Sequence, residues 1–291
     1  MPSFQSAFDK IGQAQIHIEV LWNAVRAFED LHAYELVGQS DADSWRSERL
    51  RIRIPPPVEL PMIAGDAVHN ARSALDHAIY EVSRAPVKKR RRVSFPLYSN
   101  RLDYLEAKKS GWWERALAGV PDKYRTVVER EQPFRRGNRR LGALADFDNI
   151  DKHRTVHASF ARFGRVPEVK VTPGFVLEFR YWPIGKRLHE DAEVFAYRVV
   201  SAPPRKQPVE VQINYLVTVG FGPRNLTKED LADLVNRSAL VVLDFLKLRS
   251  RTPIAVEAKE VGDMTAIILP GGPARPHLAD PLQMRVFGPP S

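Results

Sequence analysis

Cysteine is absent from this 291-residue chain, which excludes disulfides, thiolate zinc sites and cysteine nucleophiles together. Long apolar runs are absent as well. No window approaches the roughly 18 uncharged apolar residues of a membrane-spanning helix, so no membrane partner is expected. The opening stretch, MPSFQSAFDKIGQAQIHIEV, lacks the basic-then-apolar layout of a secretory leader, and a cytoplasmic, bacterial-type protein is the expectation. There is no phosphate-cradling Gly-rich loop, no GxGxxG and no GxSxG elbow; no cofactor is expected. No internal repeat is found.

What the chain does contain is a core and an excess of positive charge. It is 44% hydrophobic and 27% charged, the balance of a globular protein. The net charge is +9, and much of the excess is gathered in two runs expected to be loops. The first is Lys88, Lys89, Arg90, Arg91 and Arg92; the second holds Arg135, Arg136, Arg139 and Arg140. Such runs attract polyanions by phosphate contact and counterion release, so RNA is the expected partner. A solvated loop in an arginine-rich chain is the plainer reading. Trp112, Trp113 and Trp182 could stack bases or fill the core.

Hydrophobic periodicity divides the chain into α+β architecture: a helical bundle joined to a small antiparallel sheet. Residues 1–164 are read as the bundle, with a β-hairpin inserted at about 33–56. Residues 165–269 are read as an antiparallel sheet with a C-terminal helix packed on the bundle, and 270–291 as a disordered Pro/Gly-rich tail. A first helix covers Phe4 to Leu31, with Phe8, Ile11, Ile18, Leu21, Val25 and Phe28 at helical spacing. Tyr34–Val37 and Arg49–Ile54 alternate as a hairpin that could add strands to the later sheet, and Pro55–Pro57 end it. Further helices are expected at Arg101–Leu117, Asp122–Glu131 and Leu141–Phe163. Strands follow at Glu168–Thr172, Phe175–Tyr181, Glu193–Val200 and Val209–Phe221, then a helix N-capped by Thr227 and a short strand at Thr265–Leu269.

The helix from Leu60 to Arg84 is the most informative. Ile63, Ala67, Val68, Ala71, Ala74, Leu75, Ala78, Ile79 and Val82 fill one half of its circumference. The other half carries Asp66, His69, Asn70, Arg72, Ser73, Asp76, His77 and Tyr80. It has hydrogen-bonding residues where a solvent face would have Lys/Glu pairs. A second polar cluster, Asp148 to Arg154, interrupts the helix expected at Leu141–Phe163, whose Leu144, Phe147, Ile150, Ala158 and Ala161 form one apolar face and Ala145, Val156, Phe160 and Phe163 another. Buried polar groups need partners or cost about 1–3 kcal/mol each, so the two clusters are expected to meet. Arg72 and Asp76 can pair at i,i+4, and Asn149, His153 and His157 climb one side of the second helix.

Three uses of such a meeting are open. One is a buried polar network that sets helix register without chemistry. Another is a metal site built on His153 and His157 with Asp66, His69 or His77, although Lys152 and Arg154 would repel a cation. The third begins with Arg72-Ser-Ala-Leu-Asp-His77, which resembles the Arg-x4–6-His pattern of the HEPN superfamily, helical proteins that include many metal-independent endoribonucleases. That resemblance implies that Arg72 steadies phosphate charge while His77 acts as general acid or base on a ribose 2′-hydroxyl. It further implies a site shared across a homodimer, and a toxin or phage-defence setting. His69, Asn70, Asp76, Asn149, Asp151 and His153 would then support the pair. Arg26 and His32 fit the same spacing, but Arg72 and His77 sit on a strong helix within a dense polar cluster. HNxRSALDH at 69–77 together with NIDKHR at 149–154, and the Ser94-Phe-Pro-Leu97 segment, also resemble a group of bacterial and phage-associated proteins over roughly residues 60–160, to which no activity is attached.

Overall fold

A computed structural model describes residues 4–41, 44–153, 158–181, 183, 186–203, 211–222, 224–249, 257–261 and 264–268; the side chains of 148–153, 160–170, 211–216 and 257–268 are outside that description. The elements run α1 (Gln5–Glu29), β1 (Tyr34–Ser40), β2 (Arg46–Ile52), α2 (Glu59–Val82), α3 (Val87–Arg90), α4 (Arg101–Lys109), α5 (Trp112–Ala116), α6 (Asp122–Arg130), α7 (Arg139–His153), β3 (Ala158–Val171), β4 (Val176–Tyr181), β5 (Glu193–Ser201), β6 (Val211–Phe221), α8 (Lys228–Lys247), β7 (Glu257–Val261) and β8 (Met264–Ile268). The class is α+β, as the periodicity predicts.

The bundle is assembled on apolar stripes. On α1, Phe8, Ile11, Ile18, Leu21, Val25 and Phe28 are all buried. On α2 every member of the expected apolar half is buried except Ile63, which packs partly covered against the core. These two helices and α8 pack on one another, while α7 packs on α2 and α8. The start of α8 is a capping box: Thr227 accepts the Asp230 N–H, and Asp230 accepts the Thr227 N–H.

The sheet is antiparallel in the order β1-β2-β5-β4, so the early hairpin does extend the later strands. β3 and β6 form a separate antiparallel pair, as do β7 and β8. Leu50, Val194, Val217, Val219 and Phe221 join the core that the helices form. Tyr34 Oη donates to the Val217 carbonyl at 3.2 Å. Burial, the Glu29 charge and then this bond (the last in the opposite sense) leave the phenol raised above its ordinary pKa.

Three expectations change. The helix expected over Leu141–Phe163 ends at His153, and Ala158, Phe160, Ala161 and Phe163 lie on β3. Aromatic and β-branched runs are compatible with either state over a short span, and pairing with β6 settles it. The helix expected over Arg101–Leu117 is two helices, broken at Gly111 with φ +75°. Part of each basic run is helical: Val87–Arg90 is a short turn and Arg139 opens α7. The C-terminal tail lies outside the described residues. Among those described, no helix is long and apolar enough to cross a membrane.

Candidate functional site

The polar half of α2 is shared between two neighbours. Towards α1, His77 Nδ1 is hydrogen-bonded to Ser6 Oγ at 2.6 Å. Lys10 Nζ donates to Asn70 Oδ1 at 3.1 Å, while Asn70 Nδ2 donates to the Asp66 carbonyl at 2.9 Å. Near the end of α2, Glu81 accepts the Phe4 N–H at 2.8 Å. The other direction is that of the segment Val93–Tyr98, which belongs to no helix or strand. Asp76 Oδ1 accepts the Phe95 N–H at 2.7 Å and the Arg72 Nη2–H at 3.1 Å. The Arg72 side chain is 15% exposed, and its Nη1 is buried with no hydrogen-bond partner among the described residues.

Arg72 and His77 therefore engage different partners. Five residues apart, they lie about 140° apart around the helix axis. One guanidinium is held on Asp76, and the imidazole is held on α1. His69 is exposed. Asn149, Asp151 and His153 lie on α7, which packs on α2, but their side chains fall outside the description, so the expected meeting of the two polar clusters does too. The same holds for His157, so the two-histidine metal reading rests there. Among the described residues no group of three His, Asp or Glu could hold a metal ion.

The Val93–Tyr98 segment is clamped by a residue the sequence does not flag. Gln132, fully buried, donates from Nε2 to the Pro96 and Val128 carbonyls at 2.8 and 2.9 Å. Its Oε1 accepts the Tyr98 N–H at 3.1 Å. Phe95 is buried beside Phe245, ring centroids 6.3 Å apart. Phe95, Pro96 and Tyr98 are thus held by side chains in place of a neighbouring strand.

The basic runs divide by what each cation already does. Arg90 lies over the Tyr80 ring at 4.5 Å and donates to the Tyr80 carbonyl, capping the C-terminal end of α2. Arg135 donates to the Glu129 carbonyl at 2.8 Å, and Arg140 pairs with Asp233. Lys88, Lys89, Arg91, Arg92, Arg136 and Arg139 are exposed, and no side-chain hydrogen bond or ion pair engages them among the described residues.

Arg139 also faces a cavity of about 390 Å³, in company with Arg101 and Arg224. Ser99 and Asn100 form one wall and Pro133 and Phe134 another. Asn100 N-caps α4: its Oδ1 accepts the Asp103 N–H at 2.8 Å, and its Nδ2 donates to Asp103 Oδ2 at 2.6 Å. Arg224 pairs with Asp146. Arg101 and Arg224 are not visible as site residues in the sequence. An isolated arginine carries no pattern, and only the fold brings 101, 139 and 224 together.

No protein-family model, no curated protein and no solved structure matches this chain.

Proposed function

We propose that this protein binds RNA by its sugar–phosphate backbone, with Lys88, Lys89, Arg91 and Arg92 as the principal contact. The observation that supports it is the state of those four side chains. They are exposed, adjacent and free of hydrogen bonds or ion pairs among the described residues, whereas Arg90 in their midst is occupied by Tyr80. Four neighbouring cations repel one another, and a polyanion relieves that repulsion while releasing its condensed counterions. Arg136 and Arg139 extend the same chemistry. Arg72 and His77 belong to the fold in this reading, because the partners they hold are Asp76 and Ser6. The electrostatic contact itself does not distinguish RNA from DNA, and a labelled single-stranded DNA of the same sequence belongs in the same titration as the competing ligand.

Fluorescence polarisation of a labelled single-stranded RNA across a salt series tests the reading. The wild-type protein is expected to bind with affinity falling steeply as salt rises. The variant with Lys88, Lys89, Arg91 and Arg92 all changed to Ala should lose about 3 from the slope of log affinity against log salt, at roughly 0.7 per phosphate contact on a single strand. Its thermal melting should be unchanged. RNA recovered from the same mixture in EDTA should be intact. Absence of binding at low salt, or a variant that binds like wild type, would overturn the proposal.

A further inference from the structure

The cavity between α4 and α7 has a charge and shape that ordinary backbone binding does not require. Arg101, Arg139 and Arg224 supply three positive charges, and Asp146 neutralises Arg224. Arg101 and Arg139 are exposed and have no hydrogen bond or ion pair among the described residues. Two uncompensated cations match a phosphate monoester, which carries about −1.5 to −2 near neutral pH. A phosphodiester in the middle of a strand carries a single charge and leaves one cation unmet.

The walls favour the same ligand. The cavity opens beside the first turns of two helices, the nine-residue α4 and the fifteen-residue α7, whose positive dipole ends add to the field. α7 has no acidic residue in its first turn, and Asp103 of α4 is occupied by Asn100. Gly142, in the early part of α7, also lines the cavity. A Cβ there would sit 3.2 Å from both Pro133 Cβ and Ser99 Oγ, so its absence allows those walls to approach the helix. Ser99 presents a hydroxyl with no hydrogen bond among the described residues. A volume of about 390 Å³ is at the small end of the roughly 300–1,000 Å³ typical of ligand pockets.

We propose that this cavity binds a terminal phosphate monoester, through Arg101 and Arg139 with Ser99 donating to a phosphate oxygen. The source would be the 5′-phosphate of an RNA or a free mononucleotide. The first source rests on the RNA-binding reading above; the pocket chemistry itself does not. Arg92 and Ser99 are seven positions apart in the chain, so their Cα atoms are separated by no more than about 25 Å. One short oligonucleotide could span from the cavity to the Lys88–Arg92 turn.

The experiment compares a labelled single-stranded RNA bearing a 5′-phosphate with the same RNA bearing a 5′-hydroxyl, with AMP and inorganic phosphate as competitors. The 5′-phosphate form is expected to bind at least about tenfold more tightly. AMP should abolish that advantage. Arg101→Ala/Arg139→Ala should reduce the ratio to about one, and Arg101→Glu alone should do the same, with melting unchanged in both. The fourfold Ala variant at 88, 89, 91 and 92 should weaken both RNAs and keep their ratio. Equal affinity for the two RNAs together with no AMP or phosphate binding would overturn the pocket and leave the RNA reading standing. AMP binding that needs Arg101 and Arg139, with no binding of either RNA, would sustain the pocket as a mononucleotide site and sink the RNA reading. A 5′-phosphate preference that survives both arginine variants would also overturn the assignment.

Discussion

Asp76 of α2 accepts the backbone N–H of Phe95 at 2.7 Å, so a carboxylate in the middle of a helix does for the Val93–Tyr98 segment what a neighbouring strand would do. The same oxygen holds Arg72 at 3.1 Å. Asp76→Ala strands a buried amide and a mostly buried guanidinium together, and should lower stability by about 2–3 kcal/mol. Asp76→Asn keeps an acceptor for Phe95 and should cost less. Urea unfolding distinguishes these; an Asp76→Ala protein as stable as wild type would remove the architectural role.

Glu131 is 3% exposed and receives Arg130 Nε at 2.9 Å and the Arg237 guanidinium; Arg237 also donates to Asn138 Oδ1 at 2.8 Å. This network ties α8 to the connection between α6 and α7 on which Gln132 and Phe134 sit. Glu131 is the buried member, whereas Arg130 is 56% and Arg237 32% exposed, and these keep Asp244 and Asn138 as partners. Glu131→Gln should therefore cost about 1–3 kcal/mol, as read by urea unfolding, and a variant as stable as wild type would remove this tie.

Glu129 of α6 links acid stability to its contact with Tyr104 and Lys108 of α4. Hydrogen bonds from Lys108 and then Tyr104 hold its carboxyl below the ordinary carboxylate range. Burial pulls the Lys108 ammonium down, but its bonds to Glu129 and Tyr104 outweigh that and leave it raised. Because the folded-state pKa of Glu129 is depressed, its contribution is fully present above the unfolded value of about 4.3. It is lost as pH falls through the lower folded value. Glu129→Gln should therefore differ most from wild type at pH 6–7 and converge with it below about pH 4, as followed by denaturant titrations at each pH.

Gly119 sits at φ +69°, and a Cβ there would lie 2.3 Å from the Ala85 backbone nitrogen; its carbonyl accepts the Arg84 N–H at 2.8 Å. Gly119→Ala combines the left-handed penalty of about 1–2 kcal/mol with displacement of backbone, an overpacking cost of roughly 1–3 kcal/mol. Gly111 has φ +75° but open space around its missing Cβ, so Gly111→Ala should carry only the first cost. A melting comparison of the two separates conformation from crowding.

The faces of α1 and α2 could be read from the chain alone because a helix places residues at a fixed 100° step. Phe8, Ile11, Leu21 and Val25, or Ala67, Ala71, Leu75 and Ile79, are buried by local geometry whatever the neighbour is. The same period revealed that α2 has a hydrogen-bonding half, without revealing its partners. Ser6, Lys10 and Phe95 come from segments whose approach depends on the packed bundle. Hence Arg72 and His77, close in sequence, serve different contacts.

Position in the chain and the residue types present determined the α+β class, the apolar stripes, the Thr227 cap and the two concentrations of positive charge. Tertiary structure decided the rest. It turned Ala158–Phe163 into strand by pairing it with Leu216–Phe221, drew Gln132 under Pro96 and Tyr98, and gathered Arg101, Arg139 and Arg224 around one cavity. Periodicity and capping act within one or two turns of chain, whereas pairing, clamping and cavity formation depend on contacts between residues tens of positions apart, and no local pattern encodes them.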